Sequence, residues 1–142
     1  PETEVPFDDL WILDLHALHW LRADRYINGP RPTVRCSHNA VPSRSTVVFF
    51  GGTGIPITSI SASGEPLPEP EALPCCAENV LPLNDLWVLH CPMNCEPGDA
   101  AKPSVVQDWT WSLVAQQGIA PSPRSLPGMA VSATGEFVHV FG

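Results

Sequence analysis

The run Val47-Val48-Phe49-Phe50 is apolar at every position and stops at Gly51-Gly52. A run of four β-branched and aromatic residues is too short for a globular helix and reads as a strand buried on both faces. Glycine ends it because glycine takes positive φ and lets another backbone approach closely. The stretch returns as Val138-His139-Val140-Phe141-Gly142. A chain that repeats such a strand is built from repeated units.

Two further recurrences support this. Pro6-Phe7-Asp8-Asp9-Leu10-Trp11-Ile12-Leu13 matches Pro82-Leu83-Asn84-Asp85-Leu86-Trp87-Val88-Leu89 at Pro, Asp, Leu, Trp and Leu. More loosely, Trp20, Gly29, Pro32, Arg35 and Ala40 are followed in the same order by Trp111, Gly118, Pro121, Arg124 and Met129. Three patterns recurring in one order are the signature of a repeat architecture.

Seventeen prolines and ten glycines in 142 residues leave no long window with a clean helical period. No run approaches the ~18 apolar residues of a membrane span, and the opening residues show no charged region followed by an apolar one. A formal charge of −8, with seven scattered Lys and Arg, argues against nucleic acid, which needs a basic face. Five cysteines, an odd count, and no glycosylation sequon point to a reducing, cytoplasmic setting rather than a secreted disulfide framework.

Taken in order, strands are expected at Leu10–Leu15, Trp20–Ala23, Arg35–Val41, Thr46–Gly52, Asp85–His90, Trp109–Ala115, Gly128–Ser132 and Phe137–Gly142. In the first, Leu10 and Ile12 face one way and Trp11 and Leu13 the other, so both faces need cover. Without crossover helices, small antiparallel sheets stacked face to face provide it. Thr53–Leu83 and Cys91–Asp108 are polar inserts, the first rich in Pro and Glu. A connection longer than ~15 residues is either functional or unstructured, and Thr53–Leu83 reads as an unstructured insert, removable at little cost in stability.

Together these residues resemble the kelch-repeat β-propellers. The likeness rests on Gly51-Gly52 after an apolar strand, on Asn84-Asp85-Leu86-Trp87 and Asp8-Asp9-Leu10-Trp11 before the next, and on Pro32-x-x-Arg35-x-x-His38. To these it adds Leu13 and Trp20 at the spacing where the family has Tyr and Trp. The second unit departs from the pattern with Pro127 in place of His38. The resemblance implies an all-β fold, a kelch-type propeller segment of four-stranded antiparallel blades. It divides the chain into the fourth strand of one blade (about 9–15), a complete blade (about 20–90, with insert 53–83), and three strands of the next (about 109–142, after insert 91–108). Closed rings take at least ~4 blades, so it also implies an excerpt of a longer propeller, whose outer faces and open sheet edges would make the chain associate or aggregate alone.

Candidate chemistry is sparse. Gly52-Thr53-Gly54 follows a strand as a dinucleotide loop does, but Ile57 stands where a third glycine belongs and Ile55-Pro56-Ile57-Thr58 does not open a helix; a structural turn is the better reading. Cys75, Cys76, Cys91 and Cys95 could supply zinc or form a disulfide, although adjacent cysteines rarely converge on one ion; free thiols are favoured. His38 and His139 are expected on strands, and His16 and His19 beside a turn, as structural residues. Arg35 and Arg124, at matching places in two units, read as repeated anchors. There is no nucleophile elbow. Some kelch propellers are copper radical oxidases with tyrosine ligands, and the single tyrosine, Tyr26, argues against that site. No catalytic, cofactor-binding or metal residue is therefore assigned, and no cofactor. The expected function is a non-enzymatic scaffold that binds protein partners through its loops, without nucleic acid or membrane. The alternative is the propeller part of an enzyme whose catalytic residues lie outside this stretch.

Overall fold

The computed structural model describes residues 7–27, 29–55, 80–91, 106 and 108–142. These residues form eleven strands: β1 (Trp11–Asp14), β2 (His19–Arg22), β3 (Arg35–Cys36), β4 (Asn39–Ser43), β5 (Thr46–Phe50), β6 (Thr53–Gly54), β7 (Leu81–Pro82), β8 (Leu86–His90), β9 (Thr110–Leu113), β10 (Gly128–Val131) and β11 (Val138–Phe141). Every pairing is antiparallel. The fold is all-β, as the sequence leads one to expect, in several separate sheets of which none is closed.

The largest sheet has the order β4-β5-β8-β9. Its register sets Phe49 opposite Trp87 and Val48 opposite Val88. Since side chains alternate along a strand, Trp87 and Leu89 bury on one face, each 2% exposed, while Val41, Val48 and Phe50 bury on the other. Apolar residues on both faces thus mean what the sequence suggests: the sheet is covered twice. On the first face Trp111 stands edge-on to Phe49 at 4.9 Å and to Trp87 at 6.5 Å, geometry favoured by the ring quadrupoles.

The three-stranded sheet β3-β6-β7 continues three of these strands past a bend. Each strand breaks at the same level: at Ser37 and His38, at Gly51 and Gly52, and at Leu83 to Asp85. Gly51 and Gly52 have φ of 65° and 92°. A Cβ on Gly51 would lie 2.8 Å from the Arg124 carbonyl oxygen, and one on Gly52 would lie 2.7 Å from that of Cys36. Both reasons for glycine, positive φ and close backbone approach, therefore hold here. Into the opened bend comes the main chain of Arg124: its N–H donates to Leu83 O at 3.0 Å and its carbonyl accepts from Gly52 N at 3.0 Å.

Two hairpins complete the described strands, and one of them packs on the large sheet. β10 and β11 approach the face that carries Asn39 and Ser43: Asn39 Nδ2 donates to Pro127 O at 2.9 Å and Ser43 Oγ to Gly135 O at 2.7 Å. β1 and β2 pair with each other through the turn after Asp14, whose Oδ1 accepts from the main-chain N–H groups of His16 and Ala17. These two donors hold the Asp14 carboxyl below its usual pKa, Ala17 contributing most.

Three expectations need correction. The repeat groups the strand at Trp20 with those at 35–41, 46–52 and 85–90, yet it pairs with β1, and the fourth strand of the large sheet is β9. The short turn from Asp14 to Leu18 makes hairpin neighbours of strands that spacing alone assigns to different units. His38 lies not on a strand but in the break between β3 and β4. The inserts also begin and end inside the structure: Thr53 and Gly54 pair with β3 and β7, Leu83 is 5% exposed, and Val106 is completely buried. The remainder, 56–79 and most of 92–107, lies outside the described residues.

Candidate interaction site

Arg35 organises the bend. Its Nη1 and Nη2 reach the two oxygens of Asp85 at 2.5 and 2.7 Å. Nη1 also donates to Gly51 O at 3.2 Å, and Nε and Nη2 donate to Thr33 O and Thr33 Oγ1. Asp85 Oδ2 in turn accepts from Trp87 Nε1 at 2.8 Å. The side chains of Arg35 and Asp85 are only 6% and 19% exposed, so a two-pronged guanidinium–carboxylate pair with its remaining donors filled is what makes such burial tolerable. The pair straps the glycine turn to the Trp87 strand.

Half of the strap recurs on each side. Arg124 donates from Nε to Ser122 O, from Nη2 to Ser122 Oγ and from Nη1 to the Gly142 main-chain oxygen at 2.6 Å, repeating the bonds of Arg35 to Thr33 and Gly51. The backbone repeats too, since Ser37 and Leu126, each two residues after its arginine, have φ of 58° and 51°. On the other side, Trp11 Nε1 donates to Asp9 Oδ2 at 2.7 Å, as Trp87 does to Asp85. Arg35 and Arg124 are thus repeated anchors, as expected. The sequence reading does not pair Arg35 with Asp85, although both recur once per unit and with opposite charge, which is the signal that could have found the pair.

A cleft of about 180 Å³ opens between the segments that precede β1 and follow β2 and the aromatic face of the large sheet. Phe49 and Trp111 line it with His38, Asp8 and Arg31. Asp8 and Arg31 form a 3.4 Å ion pair, 41% and 39% exposed, of the kind worth ~0–1 kcal/mol and easily exchanged for another partner. The exposed His38 ring rests 5.8 Å from Phe49; partial desolvation, then the Arg35 charge, lower its pKa. Pockets for drug-sized ligands run from ~300 Å³ upward, so an open cleft of this size suits a protruding side chain better than an enclosed small molecule.

The other candidates stand apart. Gly52-Thr53-Gly54 runs into β6, and its glycines are filled by neighbouring backbone. His139 is exposed on β11, His16 lies in the β1–β2 turn, and His19 opens β2. Tyr26 sits in the turn after β2. Cys36 on β3 is a free thiol. Cys91 follows β8, its Sγ 3.7 Å from Leu89 O; Cys75, Cys76 and Cys95 lie outside the described residues. Among the described residues no three His, Cys, Asp or Glu side chains gather in metal-binding geometry, and no helix is long and apolar enough to cross a membrane. No protein-family model matches the chain, and a search of curated proteins finds no match.

Proposed function

We propose that the chain is a segment of a kelch-type β-propeller that serves as a protein-binding scaffold in a reducing, cytoplasmic setting. The repeated arginine strap is the observation that carries the reading, because a unit that recurs in both hydrogen bonds and positive φ belongs to a repeat array. The large antiparallel sheet, with buried residues on both faces and the β10–β11 hairpin against one of them, agrees with a blade in a stack of blades. The odd cysteine count supports the compartment. In this reading the sheets are rigid supports, and recognition falls to the connections around the cleft. Asp8, Arg31 and His38 form a polar rim over the aromatic floor of Phe49 and Trp111, an arrangement suited to an inserted side chain of a protein partner.

The test is an affinity capture from cell extract with the wild-type chain and with Asp8→Lys/Arg31→Glu as bait. Proteins retained by the wild type should be lost from the variant, whose thermal melt should be unchanged because both positions are exposed. Equal capture by the two baits would refute the placement at the cleft, and no specific capture by either would refute the scaffold.

A further inference from the structure

Charge decides what the cleft accepts. Three carboxylates line it, Asp8, Asp9 and Asp24, together with two guanidinium groups, Arg31 and Arg35. Two of these charges are met from outside the lining: Asp24 pairs with Arg22 at 3.0 Å, and Arg35 pairs with Asp85. Asp8 and Arg31 cancel across the rim. Asp9 is left. It is half-buried, and its hydrogen-bond partner among the described residues is the uncharged indole N–H of Trp11, at 2.7 Å. A carboxylate partly withdrawn from water and paired with a neutral donor gains from acquiring a cation. His38 adds no opposing charge at neutral pH, since partial desolvation and then the Arg35 charge lower its pKa.

Phe49 and Trp111, both half-buried and with ring planes 60° apart, form the floor. An ammonium group is compact and strongly hydrated. A guanidinium is planar, sheds water more readily, lies flat on aromatic rings and forks onto a carboxylate. We propose that the cleft takes the side chain of an arginine on a protein partner, its plane against the Phe49–Trp111 floor and its N–H groups on Asp9. The inference deepens the scaffold reading and rests on it. The stretches of this chain that run on from the cleft cannot supply the cation. Residues 1–6 lead into Phe7, and 56–79 follow Ile55, whose carbonyl accepts from Thr33 in the cleft wall at 3.0 Å. These stretches contain Glu2, Glu4, Glu65, Glu69, Glu71 and Glu78 and neither Lys nor Arg. The net charge of −8 likewise steers a basic partner towards the molecule.

Random heptapeptides displayed on phage and panned against the immobilised 142-residue chain test it. The selected peptides should share one arginine at a fixed position. Asp9→Asn keeps an acceptor for the Trp11 indole and removes only the charge. By fluorescence polarisation, a peptide selected on the wild type should bind this variant about 10-fold more weakly, the worth of a charge-assisted contact. Replacing the peptide's arginine by citrulline, which has the same shape and no charge, should weaken binding to the wild type about as much and to the variant little. Glu136→Gln, which removes an exposed charge from the β10–β11 turn, should bind as the wild type does. Near-ultraviolet circular dichroism checks that both variants fold, and the citrulline comparison decides by itself if Asp9→Asn does not. Shared peptides without arginine, or an arginine that citrulline replaces without loss, would overturn the proposal and leave the scaffold reading standing. Undiminished binding by Asp9→Asn, or equal weakening by Asp9→Asn and Glu136→Gln, would overturn it too, the latter as a general attraction to an acidic chain. No enrichment of any peptide would overturn the proposal together with the scaffold.

Discussion

Trp87 and Trp11 make the same local bond, indole N–H to the carboxylate two residues earlier, at 2.8 and 2.7 Å. One is buried and the other half exposed. The difference lies in the neighbours: β8 has β5 on one side and β9 on the other, whereas β1 has only β2 among the described residues. Local sequence sets the hydrogen bond, and the flanking strands set the burial. In a repeat array most stability resides in such neighbour contacts, so matching residues in the two copies should have very different energetic weights.

The largest effect that could break this comparison is truncation of the two tryptophans. Trp87→Ala should destabilise by ~3–5 kcal/mol, the cost of removing a large aromatic from a packed core. Trp11→Ala should cost under ~1 kcal/mol when the chain is monomeric, since little of its ring is packed. Urea unfolding of both variants at low protein concentration measures the gap. Equal losses would mean that β1 is covered as β8 is.

A smaller gap is expected between the carboxylates. Asp85→Ala leaves the Arg35 guanidinium buried with its strongest partner gone, a loss of ~3 kcal/mol by the behaviour of broken buried pairs. Asp9→Ala removes only a hydrogen bond to an exposed indole, worth ~0.5 kcal/mol. Trp87 should also respond to Asp85→Ala through a shift in fluorescence, having lost its indole acceptor. If Asp85→Ala proves as mild as Asp9→Ala, the strap does not hold the bend.

The strands, and the double burial of β5 and β8, are legible in the sequence because periodicity and composition report local structure directly; the cover expected on both faces of β1 is not found, since Trp11 is 48% exposed. Each of the eight expected strands has an observed counterpart, and Gly51 and Gly52 have the conformation their position implies. Partner choice is less legible. Trp20 follows the first strand at a spacing that fits either a hairpin or a new unit, and nothing local distinguishes them; the Asp14 carboxylate folding onto His16 and Ala17 does. Leu83 and Thr53 are hidden for another reason: they stand at the two ends of a Pro- and Gly-rich stretch and look like parts of an insert, although the Leu83 N–H donates to Gly52 O and its carbonyl accepts from Arg124 N in the bend. The cleft is not legible at all, because Asp8, Arg31, His38 and Trp111 meet only through tertiary structure.

The smallest expected effect separates His38 from its counterpart Pro127, which cannot titrate. Partial desolvation of the His38 ring and the nearby positive charge of Arg35 place its pKa below the usual 6.5. The unfolded chain therefore binds more protons than the folded one between the lowered pKa and 6.5, and folding stability rises with pH across that interval. The contribution is fully present above about pH 6.5 and is lost as the pH falls through the folded pKa. Asp14, held low by main-chain donors, adds stability that is present above its ordinary carboxylate pKa and is lost as the pH falls through its lowered one. His38→Gln keeps a polar side chain of similar length and removes the titration. Stability measured by urea unfolding between about pH 7 and pH 5 should then decline less steeply in the variant than in the wild type. Since His38 is exposed, solvent screens much of the Arg35 charge and the difference should be slight. Identical slopes would mean that the ring does not feel the strap, and that the middle unit differs from its flanking copy at this position in shape alone.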